Sequence, residues 1–355
     1  MKVLLTGASG FIGQAVSTQL RARGDEVLAV DALIPQAHAA VPTAASAEES
    51  PHRLDVREAM DWVHLLRGVD VVCHQAAMVG AGVTVADLPL YAGHNDLGTA
   101  ALLAAMGEAG VAHLVLASSM VVYGEGRYRC PTHGLQTPGP RPLEALRGGD
   151  FDNFCPRCDE ALSWELVPED AVLDPRSSYA VSKLAQEHYT SAWARQSDGK
   201  AIALRYHNVY GPHMPQDTPY SGVAAIFRSS LERGEPPRVF EDGGQMRDFV
   251  HVADVARANV LSIDAVAGRE TGSLTPYNIC SGRPVRIGDV ATFVTNGAAV
   301  NVEPIVSGEF RSGDVRHIVA SPTKAEEELG FRAETAPEVG LAEFATAPLR
   351  ATRSS

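Results

Sequence analysis

Short apolar runs that end on small or polar residues alternate, through the first half of the chain, with segments whose apolar positions recur every three or four residues. That alternation predicts strands separated by helices, and therefore a parallel sheet assembled from βαβ units. Lys2–Thr6 reads as the first strand and Phe11 to Arg23 as an amphipathic helix closed by Gly24. Glu26–Val30 is the second strand, ending on Asp31. Ala32 to Pro51, rich in Ala, Pro and Ser, predicts a long loop. Short strands are expected over Arg53–Val56 and Val69–His74, then at His113 to Ser118 and Ala201 to Tyr206. Helices are expected over Asn95 to Ala109, with Leu97, Ala101, Leu102 and Ala105 on one face, and over Tyr179 to Arg195.

Beyond Gly211 the pattern changes to shorter elements with more Pro and Gly. It predicts helices over Gly222 to Arg233, Val252 to Asp264, Ile287 to Thr295, Pro322 to Leu329 and Pro337 to Ala347, with a strand at Arg238 to Phe240. The fold class expected is α/β: a doubly wound parallel sheet with a smaller mixed α/β substrate domain over the strand ends, where open sheets of this kind bind ligands. The domains are drawn at 1–206, carrying a cysteine-containing insert at about 125–174, and at 207–347, partly interleaved with the first. A flexible tail is expected over 348–355.

Composition adds exclusions. At 355 residues, with 45% hydrophobic and 21% charged, the chain can build a sizeable core. No apolar run approaches the ~20 residues that cross a bilayer, and Met1 leads straight into the first strand, so a soluble, cytoplasmic protein is expected. A net charge of −13 argues against nucleic acid as a partner and requires any anionic ligand to be met by a local group of arginines. Five cysteines, expected to stay reduced in the cytoplasm, argue against a disulfide framework.

Chemistry enters at the first turn. Gly7, Gly10 and Gly13 follow the first strand at three-residue intervals, the pattern of a turn that admits a pyrophosphate against the N-terminus of a helix. Asp31, an acid roughly 20 residues on at the end of the second strand, is placed for an adenosine ribose and repels a 2′-phosphate, which favours NAD over NADP. Tyr179 and Lys183, spaced i and i+4, share a helix face. A lysine cation favours phenolate, making Tyr179 a base near neutral pH. Ser118 and Ser119 bring hydroxyls to the same edge of the sheet.

These motifs resemble those of the extended short-chain dehydrogenase/reductase superfamily, in its NAD-dependent sugar-nucleotide epimerase/dehydratase branch. The resemblance rests on Thr6–Gly13, His74–Ala77, Asn95 with Gly98 and Thr99, Ser118–Gly124, Tyr179–Lys183, Leu204–Pro212 and Arg247–Asp254. It implies a Rossmann domain in which Gly7, Gly10, Phe11, Ile12, Gly13, Asp31, Asp55, Val56, Ala76, Ala77, Asn95, Ser118, Tyr179 and Lys183 bind or orient NAD. It further implies Ser119, Tyr179 and Lys183 as the catalytic set. Ser119, Asn208, Arg247 and Arg311 would hold a nucleotide-diphosphate sugar, and the chain would be a homodimer through the helices near Asn95 and Tyr179. His207 departs from the family, which usually has Phe there. Family dehydratases carry an Asp–Glu pair, and decarboxylases a Glu, where this chain has Met120 and Val121. An apolar pair moves no protons, so the resemblance implies a 4-epimerase acting on a dTDP- or UDP-hexose or 6-deoxyhexose through a transient 4-keto sugar. A net dehydrogenase or ketoreductase, or a non-catalytic NAD-binding sensor, are the rival readings.

Between Gly124 and Ser177 the chain is longer than simple family members. Cys130 and His133, then Cys155 and Cys158, have the C-x2-H and C-x2-C spacing of a tetrahedral structural zinc site that would order a lid over the substrate. Reduced surface thiols or a redox-active Cys155/Cys158 pair are the alternatives. The insert is similar to that of bacterial dTDP-L-rhamnose 4-epimerase-type proteins.

Overall fold

The protein is described here from a computed structural model, covering residues 1–34, 50–80, 84–216, 222–298, 300 and 302–350. Most of the loop expected between Ala32 and Pro51 lies outside the described residues, as do positions 351–355 of the expected tail.

Seven parallel strands form the central sheet in the spatial order Ser273–Ile279, Lys200–Tyr206, His113–Ser119, Val71–His74, Lys2–Thr6, Glu26–Asp31 and His52–Arg53. Side chains on a strand alternate between faces, and here the alternation feeds two cores. Val3, Leu5, Val115 and Ile202 face the helices Phe11–Ala22 and Val252–Ala265. Leu4, Val72, Leu114 and Leu116 face the helices Gly98–Ala109 and Ser178–Ser197. The chain therefore reverses direction across the sheet between Lys2–Thr6 and Val71–His74, which opens a crevice at the carboxyl ends of those strands.

Three differences from the expected elements have local causes. Only His52–Arg53 of the third strand pairs, because Asp55 caps a short 3-10 turn, Val56–Glu58, through its side chain and the Arg57 N–H. The helix expected from Asn95 begins as a π turn, Ala92–Leu97, and continues as α-helix from Gly98. The wider turn changes the phase of the face, so Leu97 is exposed while Leu102 and Ala105 are fully buried. The seventh strand, Ser273–Ile279, was not anticipated: Pro276 interrupts its pattern, and proline is tolerated because this strand lies at the sheet edge.

The second half of the chain thus lends a strand and the helix Val252–Ala265 to the dinucleotide-type layer. Its remaining elements form a smaller unit. Met246–His251 pairs with Asn208–Tyr210, Pro284–Arg286 and His317–Ile318, around a core that includes Phe227, Phe249, Val290 and Phe344. Phe11, from the first turn of the first helix, packs into that same core. Residues 348–350, expected to fray, are instead tied down. Pro348 accepts from the His213 N–H at 2.7 Å, Arg350 pairs with Met214 and Gln216, and the Arg350 guanidinium donates to the Ser9 carbonyl at 2.9 Å. Among the described residues no helix is long and apolar enough to cross a membrane, and all five cysteines are free.

Candidate active site

The Gly-rich turn is built by contacts that exclude side chains. Gly7 has φ +64°, and a Cβ there would stand 2.7 Å from the Ala76 nitrogen. A Cβ on Gly13 would stand 2.1 Å from the Gly7 oxygen, so the helix packs directly on the turn. Gly10, the N-cap, offers no side-chain cap, and the first intrahelical donor is Gln14 N–H onto the Gly10 carbonyl at 3.0 Å. The amides of Phe11, Ile12 and Gly13 therefore belong to the unpaired first turn, suited to an anion. Their side chains have structural duties: Phe11 lies in the smaller core and Ile12 against the first.

Beside this turn a cavity is lined by Gly7, Gly10, Asp31, Asp55, Val56, Ala76 and Ala77, together with Met78 and His94. The sequence-predicted adenosine residues thus meet in one place. Asp31 accepts from the Ser9 N–H at 2.9 Å and the Leu33 N–H at 2.8 Å, which fixes its carboxylate beside the turn. Asp55 is held by Arg57, whose guanidinium lowers its carboxyl below the ordinary range.

Behind the turn runs a buried chain that pattern reading did not find. The Thr6 hydroxyl lies 2.7 Å from His74 Nδ1, His74 Nε2 lies 3.0 Å from the Thr99 hydroxyl, and Gln186 Nε2 donates to Thr99 at 2.7 Å. Burial pushes His74 down to about 3, so it is neutral. Asn95 belongs to this scaffold and not to the cavity wall. Its carboxamide accepts from the Met78 N–H at 2.7 Å and donates to the Met78 carbonyl at 2.9 Å and to Ser182 at 2.8 Å. It orients the loop beside the cavity.

At the end of strand His113–Ser119, the Ser119 hydroxyl is near enough to Tyr179 to favour its ionised form, and Lys183 Nζ lies 6.0 Å from the centre of the Tyr179 ring. Lys183 is buried and donates to the Ala117 carbonyl at 2.9 Å. The expectation of a tyrosine poised near neutral pH is not met. Burial, the largest cause, pushes Tyr179 up to about 12, and Tyr91 adds to it, with Ser119 opposing. The same burial pulls Lys183 down to about 7 against the attraction of Glu187. Desolvation wins because Lys183 is buried and Tyr179 is half-buried.

Ser118, expected at the cofactor, is turned elsewhere: its hydroxyl donates to Glu187 at 2.5 Å. Glu187 is paired with Arg205 at 2.7 Å, and Arg205 also donates to Tyr123 at 2.8 Å. Positions 179, 183 and 187 fall on one face of the Ser178–Ser197 helix, the one signal that pointed to Glu187.

A second cavity, of about 800 Å³, is lined by Asn208, Arg247 and Arg311 together with Arg233, Arg238, Phe240 and Gln245. The volume is that of a small-molecule site. Arg311 is exposed and stacks at 5.0 Å over the Phe240 ring. Among the described residues the buried Asn208 Oδ1 and Gln245 Oε1 find no partner. Arg247 is less free than expected: its guanidinium donates to the carbonyls of Met246, Val315 and Arg316. It braces the wall as much as it faces the cavity.

The four insert ligands converge. Cys130 Sγ lies 3.6 Å from both His133 Nδ1 and Cys158 Sγ, and Cys155 Sγ lies 3.6 Å from His133 Nδ1. All four ligand atoms fall within 4.8 Å of one another. A tetrahedral zinc with Zn–S about 2.3 Å and Zn–N about 2.0–2.1 Å spaces its ligands about 3.6–3.8 Å apart.

Comparison with known proteins agrees with this architecture. Residues 3–144 and 161–280 match the model of the NAD dependent epimerase/dehydratase family. The chain is 33% identical to a dTDP-L-rhamnose 4-epimerase of Burkholderia thailandensis, over 97% of this chain and 94% of the relative. It is 30% identical to a UDP-glucose 4-epimerase of Mycolicibacterium smegmatis, over 97% and 96%. Its structure is similar to that of a Thermus thermophilus UDP-glucose 4-epimerase complex with NAD, with a TM-score of 0.74, 30% identity and coverage of 97% and 98%.

Proposed function

The chain belongs to the NAD dependent epimerase/dehydratase family, and we propose that it is a nucleotide-sugar 4-epimerase with NAD as its resident cofactor. One observation carries the reading: Ser119, Tyr179 and Lys183 meet at one strand end, and the two residues that follow Ser119 are the apolar Met120 and Val121. That site holds one proton-transfer device and no second acid–base pair, which is what inversion at a single carbinol carbon requires.

The residues fit the cofactor. The glycine cradle that a Cβ would fill, the unpaired amides of Phe11 to Gly13 and the Asp31 carboxylate suit a pyrophosphate and an adenosine ribose, and Asp55 and Val56 line the adenine side. When bound, NAD would supply a reversible hydride acceptor for C4 of the sugar and a positive charge that favours phenolate at Tyr179. Tyr179 then takes the C4 hydroxyl proton and gives it back, Ser119 hydrogen-bonds the same oxygen, and Lys183 steadies the phenolate and the ribose. Asn208, Arg233, Arg238, Arg247 and Arg311 answer the diphosphate, offsetting the overall negative charge.

The relatives make dTDP-L-rhamnose the first substrate to test and UDP-hexoses the second. The reading includes a homodimer, supported by the exposed apolar residues Leu88, Leu97, Val181 and Tyr189 on the two helical segments expected to pair. It also includes a structural zinc at Cys130, His133, Cys155 and Cys158, supported by the convergence of their ligand atoms, three pairs of which lie 3.6 Å apart, and a reducing, cytoplasmic setting, in keeping with five free thiols.

Incubating the purified protein with each nucleotide sugar and no added cofactor, and following C4 configuration by NMR, tests the proposal. Epimerisation without added NAD is expected. Tyr179→Phe is expected to lower the rate by at least about 10²-fold while NAD stays bound. Turnover only with added NAD, together with stoichiometric NADH, would instead identify a net dehydrogenase, and an unchanged rate in Tyr179→Phe would remove the proposed base.

A further inference from the structure

The insert, expected as a lid over the substrate, supplies none of the residues that line the 800 Å³ cavity. It forms a three-stranded antiparallel sheet, Gly134–Gln136, Arg127–Cys130 and Ser163–Glu165. Its own core comprises four buried residues, Tyr128, Cys130, Cys155 and Leu162. Two of those four are members of the Cys/His cluster, so the cluster makes up half of the insert's own buried core. The family match leaves out residues 145–160, which hold Cys155 and Cys158, so the second half of the cluster stands apart from the shared fold.

What the insert touches is the outer wall of the 800 Å³ cavity. Tyr128 accepts from the His317 N–H at 3.0 Å, and Glu125 accepts from the Arg316 N–H at 2.6 Å. Arg141 donates to the Asp314 carbonyl at 2.7 Å and to Glu241 at 2.8 Å, while Asp152 accepts from the Arg316 guanidinium at 3.0 Å. The segment held this way, 311–317, carries Arg311, Asp314 and Val315 of the cavity lining. Its carbonyls at Val315 and Arg316 in turn hold the Arg247 guanidinium. The dinucleotide cavity draws its lining from other parts of the chain.

We propose that a zinc ion bound by Cys130, His133, Cys155 and Cys158 holds the insert against residues 311–317 and so sets the nucleotide-diphosphate wall, making substrate binding, and not NAD binding, depend on the metal. The inference rests on the zinc reading above and adds to it what the metal is for. With the ion in place the Tyr128 and Glu125 acceptors keep the backbone of Arg316 and His317 in register. Without it the small sheet loses its tie, and Arg311 and Arg247 lose the support that faces them to the phosphates.

The test uses the full chain. Zinc content is measured on protein purified without chelator, and Co²⁺ is added to metal-depleted protein as a spectroscopic probe of thiolate ligation. Affinity for dTDP and UDP is measured by calorimetry, NAD content on the same samples, and KM and kcat where a substrate turns over. Cys158→Ser is the variant of choice because Cys158 is the exposed ligand, and its loss leaves the buried packing intact. One zinc per chain, thiolate–cobalt bands, and a rise of about 10- to 100-fold in the nucleotide Kd on metal loss, with NAD retained and kcat little changed, are expected. Absence of zinc together with failure to take up Co²⁺ overturns the metal. Unchanged nucleotide affinity in metal-free protein overturns the coupling, and parallel loss of NAD and of the folded state shows a general stabiliser instead. Because nucleotide diphosphates are the probe, failure to epimerise any sugar leaves this result readable on its own.

Discussion

Burial decides the protonation states of the residues that matter most. Tyr179 and Lys183 are shifted in opposite directions by the same loss of water, which favours a neutral phenol and pulls the lysine down to about 7. The sequence pair alone suggested an activated phenolate, since spacing conveys the neighbour's charge and says nothing of enclosure. His207 carries a related consequence. It is buried next to Asn208, neither ring nitrogen has a partner among the described residues, and burial pulls it down to about 3. A histidine with a depressed folded pKa contributes its full stability above the unfolded value near 6.5, and loses it as pH falls toward 3. Each such imidazole steepens the loss by up to about 1.4 kcal/mol per pH unit. His207→Phe, which restores the residue usual in the family, is therefore expected to flatten the fall in melting temperature between pH 7 and pH 5. Thermal scans of both proteins across that range check this, and parallel curves would remove His207 as the titrating group.

Among the elements, those governed by local rules were legible from the chain alone. Gly7, Gly10 and Gly13 with Asp31 announce a strand, a turn and a helix because steric need and residue identity coincide there. Gly13→Ala sharpens the point. Its methyl would lie 2.1 Å from the Gly7 carbonyl, a backbone atom that cannot swing aside, so the turn must open. Loss of bound NAD is expected, with the melting temperature lowered by several degrees, read by NAD content and calorimetry on one preparation. Elements that depend on distant partners were not legible. The π turn over Ala92–Leu97 surrounds Asn95, whose carboxamide is committed to Met78 and Ser182, and no periodicity announces either. Ser118 and Ser119 are adjacent and identical in type. Only the buried Glu187–Arg205 pair shows which hydroxyl turns away.

The molecule as a whole is stitched together across its two units. The second half supplies a strand and a helix to the dinucleotide layer, and Phe11 returns the exchange by entering the smaller core. Pro348–Arg350 closes the seam, with Arg350 reaching the Ser9 carbonyl close enough to Asp31 to feel its charge. Arg350→Ala removes that charged hydrogen bond, worth about 1.5–3 kcal/mol. It is expected to speed the release of NAD and to lower the melting temperature, with dialysis and thermal scans as the measurements. Where the chain leaves the sheet, the proline that hid its last strand from pattern reading has another effect. Pro276 sits on the outermost strand and carries no N–H, while its carbonyl accepts from Lys324 Nζ at 3.0 Å. A margin missing one donor and presenting a lysine makes a poor template for a neighbouring molecule's strand. Concentrated solutions of the protein are therefore guarded against edge-to-edge β-aggregation at that border.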